Sequence, residues 1–107
     1  MVFNNYEVIL TPKMNKEKDI IYEYISETLN NEIAAIDLIN KVESELQRIK
    51  YVPRIYAEIN LTDELKRRYR RIPIKNYIIL YTIDEKEKNV YVSHMYYAGK
   101  NYFDSKF

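Results

Sequence analysis

A chain of 107 residues with 47% hydrophobic residues has the material for one domain around one modest core, and residues 1–107 read as that single domain. One glycine and three prolines argue against a disordered or loop-rich chain, and the absence of cysteine excludes disulfides and a thiolate metal site. The formal net charge of +1 excludes the uniformly basic composition of a typical nucleic-acid binder, yet residues 66–75 hold Lys66, Arg67, Arg68, Arg70, Arg71 and Lys75 with no acid among them.

The opening Met1-Val2-Phe3-Asn4-Asn5-Tyr6 has no basic n-region, and no stretch approaches the roughly 18 apolar residues of a membrane span, so neither a signal peptide nor a membrane segment is expected. With no cysteine, the composition suits a reducing cytoplasm. Residues 2–10 alternate and then run apolar, which predicts a strand. Thr11-Pro12 predicts an N-cap followed by proline at the first helical position. The helix after it should span about 12–29. Met14, Ile21, Ile25 and Thr28/Leu29 fall near helical spacing with Ile20 and Tyr24 beside them, opposite a wet side of Lys13, Lys16, Glu17, Glu23 and Glu27.

Asn30-Asn31 marks a short break, since asparagine serves at both ends of helices. A second helix, about 32–50, carries the stripe Ala35, Leu38/Ile39, Val42, Leu46 and Ile49. So short a connection predicts an antiparallel helical hairpin. Residues 51–66 contain Pro53 and little periodicity and read as an extended loop, with one helical turn at 62–65. Strands are expected at about 68–74, 77–84 and 89–97, joined by Lys75-Asn76 and by the charged run from Asp84 to Asn89. The predicted order is β-α-α-β-β-β, an α+β domain with the helical hairpin packed on a small, mostly antiparallel sheet. Residues 103–107 form a tail with no readable structure.

The strand at 77–84 is apolar on both faces: Tyr77, Ile79, Tyr81 and Ile83 on one, Ile78, Leu80 and Thr82 on the other. It should be central, with helices over one face. The C-terminal segment, a long loop or a partner chain must close the other.

Two constellations could carry chemistry. On the strand at 68–74, Arg70 shares a face with Ile72 and Ile74 at a frayed strand start, while Arg71 points from the open face with Tyr69 and Pro73. Guanidinium groups donate bidentately to phosphate and carboxylate, so Lys66, Arg67, Arg68, Arg70, Arg71 and Lys75 are candidates for contacting an anionic target or partner. The bland alternative is an edge strand protected by charge. The second constellation is the exit of the last strand, from Val92 to Tyr102. His94, the only histidine, could move a proton near neutral pH, though a lone histidine is more often structural. Tyr96, Tyr97 and Tyr102 could stack on bases but more often pack. Gly99 ends the strand where a positive φ is expected. The pair Asp84/Glu85 reads as turn solvation. No phosphate loop, nucleophile elbow or metal spacing is present, and no cofactor is expected.

The run Arg70-Arg71-Ile72-Pro73-Ile74-Lys75-Asn76-Tyr77-Ile78-Ile79-Leu80-Tyr81 resembles the hairpin "R-x-L-P-V-x-N-Y-x-I-F-Y" of the ParE/RelE superfamily of bacterial type II toxins. Tyr6-Glu7-Val8-Ile9-Leu10-Thr11-Pro12 is similar to that family's opening strand and helix start. Val90 to Tyr102 looks like its closing "V-x-I-x-R-V-x-Y-G-R-R-D-Y". The likeness covers about residues 5–102. It implies a growth inhibitor neutralised by an antitoxin that lays a helix, or a helix and a strand, over the hairpin and open sheet face, with acids paired to Arg70 and Arg71. In the branch similar to RelE, which cleaves messenger RNA in the ribosome, an arginine follows the tyrosine that opens the central strand; here Ile78 stands there. The family's strand arginine is His94 here, and Gly99-Lys100-Asn101 stands for its Arg-Arg-Asp. These departures favour the ParE branch, whose toxins bind DNA gyrase without cutting RNA. A ribosome-dependent nuclease is the alternative, with Arg71, His94, Tyr97, Lys100 and Tyr102 as its residues. A third reading is a chain that folds but no longer arrests growth.

Overall fold

The structure is a computed structural model describing residues 5–62, 64 and 66–99. Strand β1 (Glu7–Leu10) leads straight into helix α1 (Pro12–Glu23). Thr11 makes the junction. Its Oγ accepts from Met14 N–H (3.2 Å) and donates to the Ser93 carbonyl (3.3 Å), and Pro12 fills the first helical position, where no N–H partner is needed. The helix then widens into a π-helical turn, Tyr24–Thr28, in which Leu29 N–H reaches Tyr24 O at 2.9 Å. Asn30 stops it with φ 51°, a left-handed conformation asparagine tolerates, and Asn31 caps helix α2 (Glu32–Tyr51) by accepting from Ala34 N–H at 3.0 Å. The buried stripe of α2 is Ala35, Leu38, Val42, Leu46 and Ile49.

Four more strands follow: β2 (Glu58–Thr62), β3 (Arg68–Ile74), β4 (Tyr77–Asp84) and β5 (Asn89–Tyr97). They form one five-stranded sheet with β1 in the order β1-β5-β4-β3-β2. Only the β1–β5 pair is parallel. Strands β3 to β5 lie where sequence places them, and the helical hairpin packs on one face. Strand β2 corrects the expected loop at 51–66. Ile59 and Leu61 alternate there with Glu58, Asn60 and Thr62, and an irregular pairing with β3 fixes the segment at the sheet edge. Of the helical turn expected at 62–65, Glu64 lies in a turn and residues 63 and 65 fall outside the described residues.

Strand β4 is covered on both faces, as its sequence requires. Ile79 and Tyr81 join the helix-side core with Met14, Ile25, Leu38, Val42, Ile49 and Ile72. Ile78 and Leu80 form a second cluster with Tyr69 and Tyr96, against which Ile59 and Leu61 of β2 pack. The expected long loop therefore supplies part of the second cover, as a strand. The Tyr81 hydroxyl donates to the Pro53 carbonyl at 2.6 Å, and burial pushes its pKa up to about 12.

A bulge in β5 decides which side chains face which layer. Leu80 pairs with His94 and Tyr81 with Val92, so Ser93 is the extra residue. Before it, Val90 and Val92 face the helices. After it, Met95 faces the helices, and His94 and Tyr96 turn to the other layer. Strict alternation would have put His94 in line with Val90 and Val92.

Deleting Ser93 should remove the bulge yet leave His94, Met95 and Tyr96 on their present faces, because Leu80 opposite His94 would then follow directly on Tyr81 opposite Val92. The cost is confined to the contact that the Ser93 carbonyl makes with Thr11, so a stability loss on the order of 1–2 kcal/mol is expected in urea unfolding, whereas Ser93→Ala should change stability by only about 0.5 kcal/mol. A loss of about 4 kcal/mol or more on deletion would show that the packing of β5 depends on the extra residue itself.

Candidate functional site

The acid-free stretch does not form one patch. Arg70, expected at a frayed strand end, pairs opposite Glu58 of β2 and is drawn inward, with its side chain 13% exposed. It donates to the Tyr56 carbonyl at 2.6 Å and to Glu58 Oε2 at 3.3 Å. Tyr56 in turn donates to Glu45 of α2, and burial and that carboxylate push the Tyr56 phenol up to about 12. Arg70 is thus part of a strap that ties the chain after α2 to the sheet. Its neighbour Arg71 is exposed on the face away from the helices, where its charge acts on Tyr96. Lys75 sits in the β3–β4 turn with φ 53° and pairs with Asp37 of α2 at 2.5 Å, which holds the Asp37 carboxyl below its ordinary pKa.

Lys66, Arg67, Arg68 and Arg70 do converge, and Arg54 joins them from the loop after α2. Together they line a cleft of about 510 Å³ at the Ile83–Glu85 end of β4. The cleft also holds carboxylates. Glu58 lies 3.8 Å from Arg68 and 3.3 Å from Arg70. Glu85 pairs with Arg54, lies 3.9 Å from Lys88 and accepts from the Tyr6 hydroxyl at 2.5 Å. Glu85, expected only to solvate a turn, therefore anchors the cleft wall. Arg67 stacks over Tyr91, 5.2 Å from the ring centroid. Arg54 escapes sequence reading because it stands alone, twelve positions before the acid-free stretch.

His94 is 5% exposed, opposite Leu80, with the Tyr69 ring centroid 6.0 Å away. Burial, and secondarily the charge of Lys13, pulls its pKa down to about 4. Glu17 Oε1 lies 4.0 Å from Nδ1, which opposes that shift; the same oxygen accepts from Met95 N–H at 3.0 Å. Tyr97 is 54% exposed and pairs with Tyr77 on the helix side, where the two rings meet edge to face at 5.8 Å. Three residues apart on one strand, His94 and Tyr97 lie on opposite faces of the sheet, and the bulge decides that Tyr97 is the one on the helix side. Gly99 has no positive φ, contrary to expectation; a Cβ there would lie 2.5 Å from the Tyr97 ring, so close approach is what favours glycine. Lys100 and Tyr102 fall outside the described residues.

A second concavity of about 810 Å³ lies between α1 and the end of β5, at the opposite end of β4 from the cationic cleft. Ile20, Tyr24, Leu29 and Tyr97, each at least half exposed, rim it over Met95 and Tyr77. Ile20 and Tyr24, beside the buried stripe of α1 in sequence, are the signal for this surface: apolar side chains in excess of what the core can take. Among the described residues no cluster of histidine, aspartate or glutamate could hold a metal ion, and no helix is long and apolar enough to cross a membrane.

The family model described as ParE toxin of type II toxin-antitoxin system, parDE, matches residues 8–102. The fold is similar to a chain from the chromosomal ParDE toxin–antitoxin system of P. aeruginosa, with TM-score 0.68 and 11% identity over 88% of this chain and 97% of that one. It is also similar to a conserved hypothetical protein from Helicobacter pylori solved in solution, with TM-score 0.51 and 16% identity over 88% of this chain and 96% of that one. No curated protein sequence matches.

Two measurements check the placement of these groups. Arg70→Ala should cost about 2–3 kcal/mol in urea unfolding, because it strands the Tyr56 carbonyl and leaves Glu58 with less compensation, while Arg71→Ala should stay within about 0.5 kcal/mol. For His94, a folded pKa of about 4 against an unfolded value near 6.5 means the unfolded chain binds the extra proton between those pH values. The native state is fully favoured above pH ~6.5 and loses up to about 3 kcal/mol as pH falls to ~4. His94→Gln should flatten that part of the pH–stability curve; an unchanged slope would mean other groups produce it.

Proposed function

Because the chain belongs to the ParE toxin family of type II toxin–antitoxin systems, we propose that it is a growth inhibitor silenced by a cognate antitoxin, and that it acts by binding DNA gyrase rather than by cutting RNA. The single observation that carries the binding mode is the separation of His94 from Tyr97. A nuclease of the RelE type needs groups converging on one phosphodiester: a base for the 2′-hydroxyl, an acid for the leaving oxygen and a cation for the phosphorane. Here the histidine is buried behind the sheet and stays neutral down to about pH 4, while the tyrosine faces the other way. The position after Tyr77, where the resemblance to RelE would require a catalytic arginine, is Ile78, 4% exposed in the second apolar cluster. Among the described residues of the nuclease set, Arg71 is the exposed cation.

The antitoxin reading is supported by the apolar groove between α1 and β5. Ile20, Tyr24, Leu29 and Tyr97 offer an aromatic and aliphatic trough that a partner's amphipathic segment could cover. Of the two arginines expected to receive the partner's acids, Arg70 is committed to Tyr56 and Glu58, which leaves Arg71.

Inducing the chain alone in a bacterial host, with message ends mapped within minutes and supercoiling by purified gyrase measured in parallel, tests this function. Growth arrest with intact messages and a loss of supercoiling activity are expected. New message ends at in-frame codon positions that disappear in Tyr97→Phe or Arg71→Ala would replace gyrase binding with ribosome-dependent cleavage. A folded, well-expressed chain that leaves growth unchanged would show that toxicity has been lost.

A further inference from the structure

The cationic cleft at the Ile83–Glu85 end of β4 is not needed for the core and lies away from the apolar groove. Arg68 and Arg54 are 59% and 60% exposed in their side chains, yet each is held by a carboxylate, so their positions are set before any partner arrives. Arg70 and Glu58 fix one wall through the strap, and Glu85, held by the Tyr6 hydroxyl and Arg54, fixes the other. Five cations and three carboxylates line it, a local excess of two positive charges in a chain whose net charge is +1.

We infer that this cleft binds an acidic polypeptide segment of a protein partner. The interleaved carboxylates argue for polypeptide over nucleic acid. A polynucleotide brings a phosphate at every step and few donors along its backbone, so Glu58, Asp84 and Glu85 would repel it wherever it followed the cations. A polypeptide can place aspartate or glutamate beside Lys66, Arg68 and Arg54 and turn its own N–H groups or a basic side chain toward Glu58 and Glu85. Its ion pairs would extend the ones already present instead of breaking them. The groove and the cleft sit at opposite ends of the eight-residue β4, roughly 24 Å apart at the rise of an extended strand, so a short segment seated in one does not reach the other. The inference rests on the binding mode proposed above, because a second protein-contact surface has a use in a toxin that works by adhesion.

The test uses the intact chain and two probes of equal charge: a peptide of alternating aspartate/glutamate and serine, and a single-stranded oligonucleotide. Binding is followed by fluorescence anisotropy at low and moderate salt. The peptide should bind more tightly than the oligonucleotide. Its affinity should fall at least ~10-fold in the double variant Lys66→Ser/Arg68→Ser, and should weaken with salt as surface ion pairs do. Lys75→Ser, which removes a cation of the same sequence stretch at the other end of β4, should leave peptide affinity unchanged. Circular dichroism of the double variant checks that it folds; should it not, Arg54→Lys, which removes the forked donor while keeping the charge, is expected to weaken peptide binding by severalfold. Equal or tighter oligonucleotide binding, or equal losses in Lys75→Ser, would overturn the inference. Growth arrest is a separate readout: a chain that binds the peptide but leaves growth unchanged retains the cleft and loses the proposed toxicity.

Discussion

The middle of strand β4, from Ile78 to Thr82, is buried on both faces, and the rest of the molecule is arranged around that requirement. Ile79 and Tyr81 are fully buried on one side, and Leu80 on the other. The helical hairpin supplies the first cover through the α2 stripe. The second depends on a chain of contacts that starts from β4 itself. The Tyr81 hydroxyl holds Pro53, Arg70 holds the Tyr56 carbonyl, and Tyr56 reaches back to Glu45 on α2. These bonds bring the segment after α2 to the sheet edge, where β2 can form and lay Ile59 and Leu61 against Ile78 and Leu80. Polar contacts around one face thereby help close the opposite one. Loss of the Tyr81 hydroxyl would be the costliest, since it would leave the buried Pro53 carbonyl without that bond.

The bulge at Ser93 is the complementary device. Strand β1 ends at Leu10, opposite Val92, so β5 has no strand beside it on that edge once the bulge is passed. Helix α1 takes over there: Thr11 bonds the Val92 and Ser93 carbonyls, and Glu17 accepts from Met95 N–H. A carboxylate on an exposed backbone donor both satisfies the donor and guards the edge. The same change of register places Met95 in the core, turns His94 and Tyr96 to the second layer and leaves Tyr97 at the mouth of the apolar groove. Accommodating Ser93 as a bulge, and not as one more alternating residue, sets which side chains of β5 enter the core and which meet the second layer.

What sequence could reveal follows from how local each determinant is. Thr11-Pro12 and Asn30-Asn31 act over three or four residues, and both helix starts fall where those residues put them. The two-faced apolar pattern of 77–84 is likewise readable, and so was the placement of β3, β4 and β5. Strand β2 is hidden because two apolar residues in five give too short an alternation, and its pairing with β3 is irregular. Nothing between Val90 and Tyr97 marks Ser93 as an extra residue, so the faces of His94, Met95 and Tyr97 could not be read. The π-helical turn at Tyr24–Thr28 carries no proline or glycine to announce it. For the cations, adjacency in sequence was a poor guide to adjacency in space. The counter-ions come from far away: Asp37 to Lys75 across 38 positions, Glu58 to Arg70 across 12.

That distribution of counter-ions bears on how a nearly neutral chain can present charge. Were the six cations of 66–75 left together on one strand, they would repel one another in the folded state and attract any polyanion. Here three are drawn into fixed pairs, Lys75 with Asp37 and Arg68 and Arg70 with Glu58, and Arg54 is brought in from elsewhere with Glu85. The resulting surface is selective through its mixed sign, because only a ligand that can answer both charges gains from it. Its distance from the apolar groove adds a further consequence. A partner with an apolar segment for one end of β4 and an acidic one for the other would engage the second site at the high effective concentration set by its linker. A partner with either segment alone would hold on weakly. Discrimination would then come from the spacing of two modest surfaces on one rigid strand, with no single contact required to be strong.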